Sequence, residues 1–107
     1  MRGGKKKKTM ITRKSTHPGT VFLEDVIKPL NLNIIEAARM LGVSREDLSE
    51  FVNEETALSP EMALRISKAT NTSAESWMNM QQKLTMWYAR MNEPENVIPF
   101  SQGAVAK

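Results

Sequence analysis

The sequence contains no cysteine, which excludes disulfide bonds, thiolate metal sites and cysteine nucleophiles. No run of 18 apolar residues is present, so no segment is predicted to span a membrane. There is one histidine, His17, and we predict that it caps or flanks a helix, because no His, Asp or Glu cluster accompanies it at ligand spacing. We therefore expect no catalytic residue, no metal site and no cofactor in this 107-residue, single-domain chain.

The charges are distributed unevenly along the chain. Residues 1–17 carry seven Lys and Arg residues and no acid, whereas the remaining eight basic residues face all twelve acids, a net charge of −4. Basic arms of this kind often bind nucleic acid, although many are only solvated tails. No apolar stretch of the kind found in secretory signals follows the lysine run, so we expect a cytoplasmic protein.

Helical periodicity and capping residues predict an all-α fold of five helices. We divide the chain into a basic disordered arm (1–16), a helical domain (17–91) and a flexible tail (92–107). The first predicted helix runs from His17-Pro18-Gly19 to about Pro29, and the second from the Asn33 cap to Leu41, stopping at Gly42. The third covers 44–52, and the fourth begins at Ser59-Pro60. The fifth follows a capping box at 72–75 and runs to about Met91. On the fourth helix, Met62, Ala63, Ile66 and Ala69 are the expected buried residues.

Residues 34–53 have the spacing of a helix-turn-helix motif. Ala38 is small where a second helix crosses over it, Gly42 allows a tight turn four residues later, and Leu48 follows after six more. Leu41 and Phe51 are predicted to fill the wedge between the two helices. An ordinary αα-corner without a DNA role remains an alternative interpretation.

Residues 17–87 resemble the HigA-type antitoxins, a branch of the Cro/CI-like (lambda-repressor-like, XRE) helix-turn-helix regulators. The resemblance rests on His17-Pro18-Gly19, Lys28-Pro29-Leu30, the stretch 38–45, the stretch 58–66 and the block 76–81, which contains Trp77 and Met80-Gln81. It implies a bacterial antitoxin that neutralises a RelE-like mRNA-cleaving toxin by direct binding. It also implies a homodimer that binds its own operator and represses the operon.

The resemblance places the helix that begins after Ser44 in the major groove of DNA. Arg45 is the best candidate to donate to a guanine edge, and Asn33 with the first amides of the preceding helix could hold a phosphate. From the arm, Arg13 and Lys14 are expected to contact DNA as well. The full predicted DNA-binding set is Asn33, Ser44, Arg45, Glu46, Ser49, Glu50, Asn53, Arg13 and Lys14.

Acidic residues distinguish this recognition helix from that of an ordinary DNA-binding protein. The helix and its exit contain five acids and only one base, Arg45, and Asn53-Glu54-Glu55 stands where related proteins often have Asn-Gly. Because neutralising phosphates dominates affinity for DNA, we expect weak binding that depends strongly on the basic arm.

Aromatic and aliphatic residues recur along the last predicted helix at three- and four-residue spacing. We expect Trp77 to pack in the core. The end of the helix is predicted to lie beyond the compact unit, and there a homodimer seam would cover the apolar side chains. The predicted dimerisation residues are Leu84, Trp87, Tyr88 and Met91.

Two other functions remain open from the sequence. One is a protein-binding module in which the helix-turn-helix is only a scaffold that no longer reads DNA. The other is a plain Cro-like regulator without a toxin partner. The partners expected under the antitoxin hypothesis are double-stranded operator DNA, the cognate toxin and a second copy of the chain.

Overall fold

The structure is a computed structural model, and it describes residues 13–101. The lysine run of the predicted arm and the last six residues of the predicted tail lie outside this range. Residues 18–90 form five helices, and the described range contains no strand, which confirms the predicted all-α fold. The helices are α1 (Pro18–Phe22, continued by a π-helical turn at Leu23–Ile27), α2 (Ile34–Leu41), α3 (Arg45–Val52), α4 (Pro60–Thr70) and α5 (Ala74–Arg90).

Side-chain caps define the starts of the helices. The Asn33 carboxamide accepts from the Glu36 amide at 2.7 Å, and the Glu36 carboxylate accepts from the Asn33 amide at 3.2 Å, the predicted capping box. Ser44 and Ser59 cap α3 and α4, as their positions predicted. At α5 the prediction was wrong by one residue, because Ser73 and not Thr72 accepts from the first turn. Thr72 instead accepts the indole N–H of Trp77 at 2.8 Å.

His17 caps α1 and also ties it to a distant loop. Its Nδ1 accepts from the Gly19 amide at 2.9 Å, and its Nε2 lies 3.0 Å from the carbonyl oxygen of Thr56, to which it donates in the matching tautomer. The ring is buried, so the predicted capping role is confirmed in a less exposed setting than a surface cap. The loop after α3 is thereby held against the start of α1.

The core lies where α1 packs against α3 and α5, α2 against α3 and α4, and α4 against α5. Trp77 is buried, as predicted, and its ring meets Phe22 edge-on with centroids 6.0 Å apart. On α4, Ala63 and Ile66 are fully buried and Met62 is partly buried. Ala69 is exposed, contrary to prediction, because the side of α4 that packs on its neighbours does not extend to this residue.

Leu84 corrects the predicted end of the compact unit. Its side chain is 1% exposed, among the most deeply buried in the protein, because α5 continues to pack on the rest of the domain up to this residue. Leu84 is therefore part of the core of one chain, and its assignment to a dimer seam is wrong. Beyond it, Trp87 is partly buried, and every residue from Tyr88 to Ser101 is exposed.

Candidate nucleic-acid interface

The turn between α2 and α3 fixes the angle of the predicted recognition helix. Gly42 has a φ of 76°, in the left-handed region that glycine adopts without strain. The amide of Val43 then donates to the Ala38 carbonyl at 3.0 Å and closes the end of α2. Ala38 is 2% exposed, which agrees with its predicted place beneath the crossing helix.

Arg65, on α4, stabilises this turn through hydrogen bonds, a role that the sequence did not reveal. Its Nη1 donates to the carbonyl of Leu41, the last residue of α2, at 3.0 Å, and its Nη2 contacts the Glu61 carboxylate at 3.0 Å. A cation at the C-terminus of a helix is favoured by the helix dipole. The angle between α2 and α3 is therefore fixed by backbone geometry and by a third helix.

An open groove with a volume of about 520 Å³ runs between the start of α2 and the outer face of α3. It brings together five of the predicted DNA-binding residues with two that were not predicted. The lining residues are Asn33, Arg45, Glu46, Ser49, Glu50, Ile34 and Ile35. Ile35 is 61% exposed, an unusual position for a large aliphatic side chain. The adjacent isoleucines were an available signal, because two consecutive helical residues cannot both face the core.

The polar side chains of this face differ in how far they are already engaged. Ser44 accepts from the Asp47 amide at 3.0 Å, and Asn53 donates to the Ser49 hydroxyl at 3.3 Å. Among the described residues no hydrogen bond or ion pair engages the guanidinium of Arg45. Arg45 is thus exposed at the start of α3, and no residue between 13 and 101 uses its donors.

The acids around the recognition helix do not all face the groove. Glu46 and Glu50 line it, and both are exposed. Glu54, at the exit of α3, hydrogen-bonds with the hydroxyl of Thr20 on α1. Glu54 also has a φ of 65°, the conformation for which the glycine of an Asn-Gly pair would be suited. Part of the predicted negative charge is thus directed away from the groove.

Arg13 and Lys14 are not brought to this groove. The ammonium of Lys14 lies 5.3 Å from the centre of the Tyr88 ring on α5. Hydrogen bonding to the Tyr88 side chain, together with the nearby charge of Glu54, raises the pKa of Lys14 above its ordinary value. Arg13 lines a groove along α5 that also contains Trp87. Their predicted contact with DNA therefore depends on how two chains and the duplex are arranged.

The remaining predicted dimerisation residues form an apolar surface at the end of α5. Trp87 is partly buried and meets Tyr88 edge-on, with ring centroids 5.2 Å apart. Tyr88 and Met91 are 52% and 59% exposed. No residue group in the described range could hold a metal ion, and none of its helices is long and apolar enough to cross a membrane.

Comparison with known proteins agrees with this geometry. The helix-turn-helix family matches residues 23–77, which include both helices of the motif. The Escherichia coli protein YbaQ, an uncharacterized HTH-type transcriptional regulator, is 37% identical over 81 residues, covering 76% of this chain and 72% of YbaQ.

Solved structures extend the similarity to the whole domain. A hypothetical protein from E. coli superposes with a TM-score of 0.80 at 30% identity, covering 88% of this chain and 100% of that one. The Pseudomonas aeruginosa antitoxin HigA, solved with the higBA promoter, superposes with a TM-score of 0.70 at 26% identity, covering 79% of this chain and 100% of that one. The chain therefore belongs to the non-enzymatic helix-turn-helix family of DNA-binding regulators, and an antitoxin HigA is among its structural neighbours.

Proposed function

We propose that this protein is an antitoxin that represses its own operon by binding operator DNA as a dimer. The observation that carries the DNA-binding part is the groove between α2 and α3. It places the exposed guanidinium of Arg45, the capped start of α2 at Asn33 and the exposed Ile35 on one open surface. The Pseudomonas antitoxin HigA, a structural neighbour, was solved with promoter DNA.

Each of these groups suits a different part of a DNA duplex. Arg45 can donate two hydrogen bonds to a guanine edge, a contact worth about 1–3 kcal/mol of discrimination. Ile35 can pack against a thymine methyl group, and the free amides at the start of α2 favour a phosphate. Glu46 or Glu50 can accept from a cytosine amino group. The groove can therefore read bases, although its acids weaken attraction to the phosphate backbone.

A dimer follows from the way that such helices read operators. Two half-sites related by a two-fold axis need a protein with the same symmetry. Trp87, Tyr88 and Met91 provide an apolar surface at the end of α5 that a second copy would cover.

The antitoxin part of the proposal rests on the likeness to HigA and on charge. The chain outside the basic arm has a net charge of −4, which complements the basic surface of small mRNA-cleaving toxins. A plain transcriptional regulator without a toxin is the second candidate, and the similarity to YbaQ favours it.

The charge reversal Arg45→Glu tests the DNA-binding part. In a reporter driven by the native promoter, this variant should lose repression, because it places a fourth acid beside Asp47, Glu46 and Glu50. Arg39→Glu is the matched control, since Arg39 is exposed on α2 and does not line the groove. Equal repression by both variants and the wild type would show that the groove does not read DNA.

Co-expression tests the antitoxin part independently. The gene adjacent to this one should encode a small basic protein that arrests growth alone and co-purifies with this chain. If the adjacent product is not toxic and does not bind, while Arg45→Glu still abolishes repression, the protein is a regulator without a toxin.

A further inference from the structure

A second groove, on α5, is lined by charged residues that are all basic, together with neutral polar and apolar residues. Its volume is about 590 Å³, and it runs from Asn79 to Arg90 along one side of the helix. Arg13, Lys83 and Arg90 supply three positive charges, and no acid is among the lining residues. Met86 and Trp87 add an apolar wall. The groove is thus suited to an extended peptide that combines carboxylates with apolar side chains.

Trp87 indicates that the surface around this groove is incomplete in a single chain. Its indole N–H is buried and has no hydrogen-bond partner among the described residues. The other tryptophan behaves differently, since the Trp77 N–H donates to Thr72 at 2.8 Å. A buried donor without a partner is unfavourable, so a bound segment that brings a carbonyl or carboxylate acceptor to this N–H would be favoured.

The chain itself contains a peptide of matching chemistry. The tail that follows α5 carries Glu93 and Glu95 and then Val97 and Ile98. Val97 and Ile98 are 72% and 71% exposed, and Phe100 is 95% exposed. Along this tail the acidic residues therefore precede the apolar ones. The described residues of the tail do not pack on the helical domain.

We propose that the tail of one protomer, residues 93–100, occupies the basic groove on α5 of a second copy, and that the exchange is reciprocal. Its carboxylates would pair with Arg13, Lys83 and Arg90, and its apolar residues would contact Met86 and Trp87. An isologous dimer has two such grooves and two such tails, so one symmetric exchange fills both. This proposal rests on the dimer of the proposed function and names the segment that completes its interface.

The geometry of the chain allows this exchange. Each tail starts at residue 92, directly after the seam residues Trp87, Tyr88 and Met91, so a dimer formed there places each tail beside the partner's α5. The groove spans eleven helical steps, about 16 Å. Eight extended residues reach about 26 Å, which is sufficient.

The tail does not occupy the groove of its own chain. Every residue from Met91 to Ser101 is exposed, so none is covered by the chain's own α5. To reach Lys83 and Asn79, the tail would have to reverse direction directly after Arg90 and run back along the helix. A second copy presents the groove without that reversal.

Two charge-reversed full-length chains test the exchange. One carries Lys83→Glu and Arg90→Glu in the groove, and the other carries Glu93→Lys and Glu95→Lys in the tail. Either variant alone has groove and tail of like charge, so its dimer dissociation constant, measured by sedimentation equilibrium, should rise at least tenfold. In an equimolar mixture each groove meets a tail of opposite charge, and dimerisation should return to within about threefold of the wild type. Arg39→Glu with Lys68→Glu makes the same charge change on exposed residues outside the groove and should leave the constant unchanged.

The possible results separate the exchange from the dimer and from DNA binding. If both variants dimerise as tightly as the wild type, the tail is not in the interface, although the dimer and its operator binding can stand. If both are weakened and mixing restores nothing, the tail acts within its own chain and the exchange is wrong. A wild-type chain that stays monomeric at concentrations where it binds the operator would contradict the exchange and the proposed dimer together.

Discussion

Gly19 lies directly against the backbone of Phe51. A Cβ atom at residue 19 would be 1.9 Å from the Phe51 carbonyl oxygen and 2.8 Å from its carbonyl carbon. The start of α1 thus rests on the last turn of the recognition helix with no space between them. This contact explains why glycine follows the His17 cap, and it links the orientation of α3 to α1.

Gly19→Ala should destabilise the protein strongly. The neighbour that the new methyl group meets is backbone, which cannot rotate away, so we expect a loss of about 3 kcal/mol in the free energy of unfolding. Gly42→Ala is the comparison, since its Cβ would meet the Arg65 guanidinium, a side-chain group that can turn aside if it gives up its hydrogen bond to Leu41. Its cost is that hydrogen bond together with left-handed strain of about 1–2 kcal/mol. Urea unfolding followed by circular dichroism measures both. A smaller loss for Gly19→Ala than for Gly42→Ala would contradict the close contact.

Glu54→Gly should be tolerated where Glu55→Gly is not. Glu54 has a φ of 65°, which costs a residue with a side chain about 1 kcal/mol. Its hydrogen bond to Thr20 and its charge near Lys14 are both at exposed side chains, so they offset little of this cost. Glu55 does not have a positive φ, so glycine at residue 55 relieves no strain and only adds conformational freedom to the unfolded chain. We expect Glu54→Gly to be more stable than Glu55→Gly by about 1 kcal/mol in thermal unfolding. Equal midpoints would argue against strain at residue 54.

Gln81→Met should reduce stability by removing both hydrogen bonds of the Gln81 side chain, one to the Leu58 amide and one to the Thr85 hydroxyl. The Gln81 carbonyl oxygen accepts from the buried amide of Leu58 at 2.8 Å and so joins α5 to the loop before α4. Methionine has a similar volume but leaves this amide unpaired, at a cost of about 2 kcal/mol. Gln82→Met, on the exposed neighbouring residue, should change the free energy of unfolding by less than about 0.5 kcal/mol. If the two variants unfold at the same urea concentration, the hydrogen bond between Gln81 and the Leu58 amide contributes nothing to the free energy of unfolding.

Deleting residues 1–14 should weaken DNA binding and reduce its dependence on salt. The deletion removes seven positive charges, whereas the face of α3 supplies only Arg45. For every phosphate that the arm neutralises, its removal should reduce the slope of log K against log salt by about 0.9. Titrating labelled operator DNA at several salt concentrations gives both quantities. An unchanged slope would mean that the arm does not contact the duplex.

Local signals made the helix-turn-helix predictable from the sequence. Gly42 and the Asn33 capping box act within a few residues of one another, so their geometry does not depend on the rest of the fold. The same holds for Ser59-Pro60 at the start of α4. These short-range signals gave the bounds of α2 and the start of α3 correctly.

Features that depend on packing between distant segments were missed. Leu84 was assigned to a dimer seam because periodicity shows which residues share a helix face but not how far a neighbour covers that face. The approach of Arg65 to the end of α2 and the contact of Lys14 with Tyr88 join residues that lie far apart in the chain. The basic groove on α5 likewise combines Arg13 with Lys83 and Arg90, and no sequence pattern connects them.

The most direct test of sequence-specific operator binding is fluorescence anisotropy with the wild-type chain. Its affinity for its own promoter is compared with its affinity for a scrambled duplex of equal length and composition. At physiological salt we expect the promoter to bind at least about a hundredfold more tightly than the scrambled duplex, and Arg45→Glu but not Arg39→Glu to remove that preference. Equal affinity for the two duplexes, or a preference that survives Arg45→Glu, would contradict the assignment of the α2–α3 groove as the surface that reads DNA.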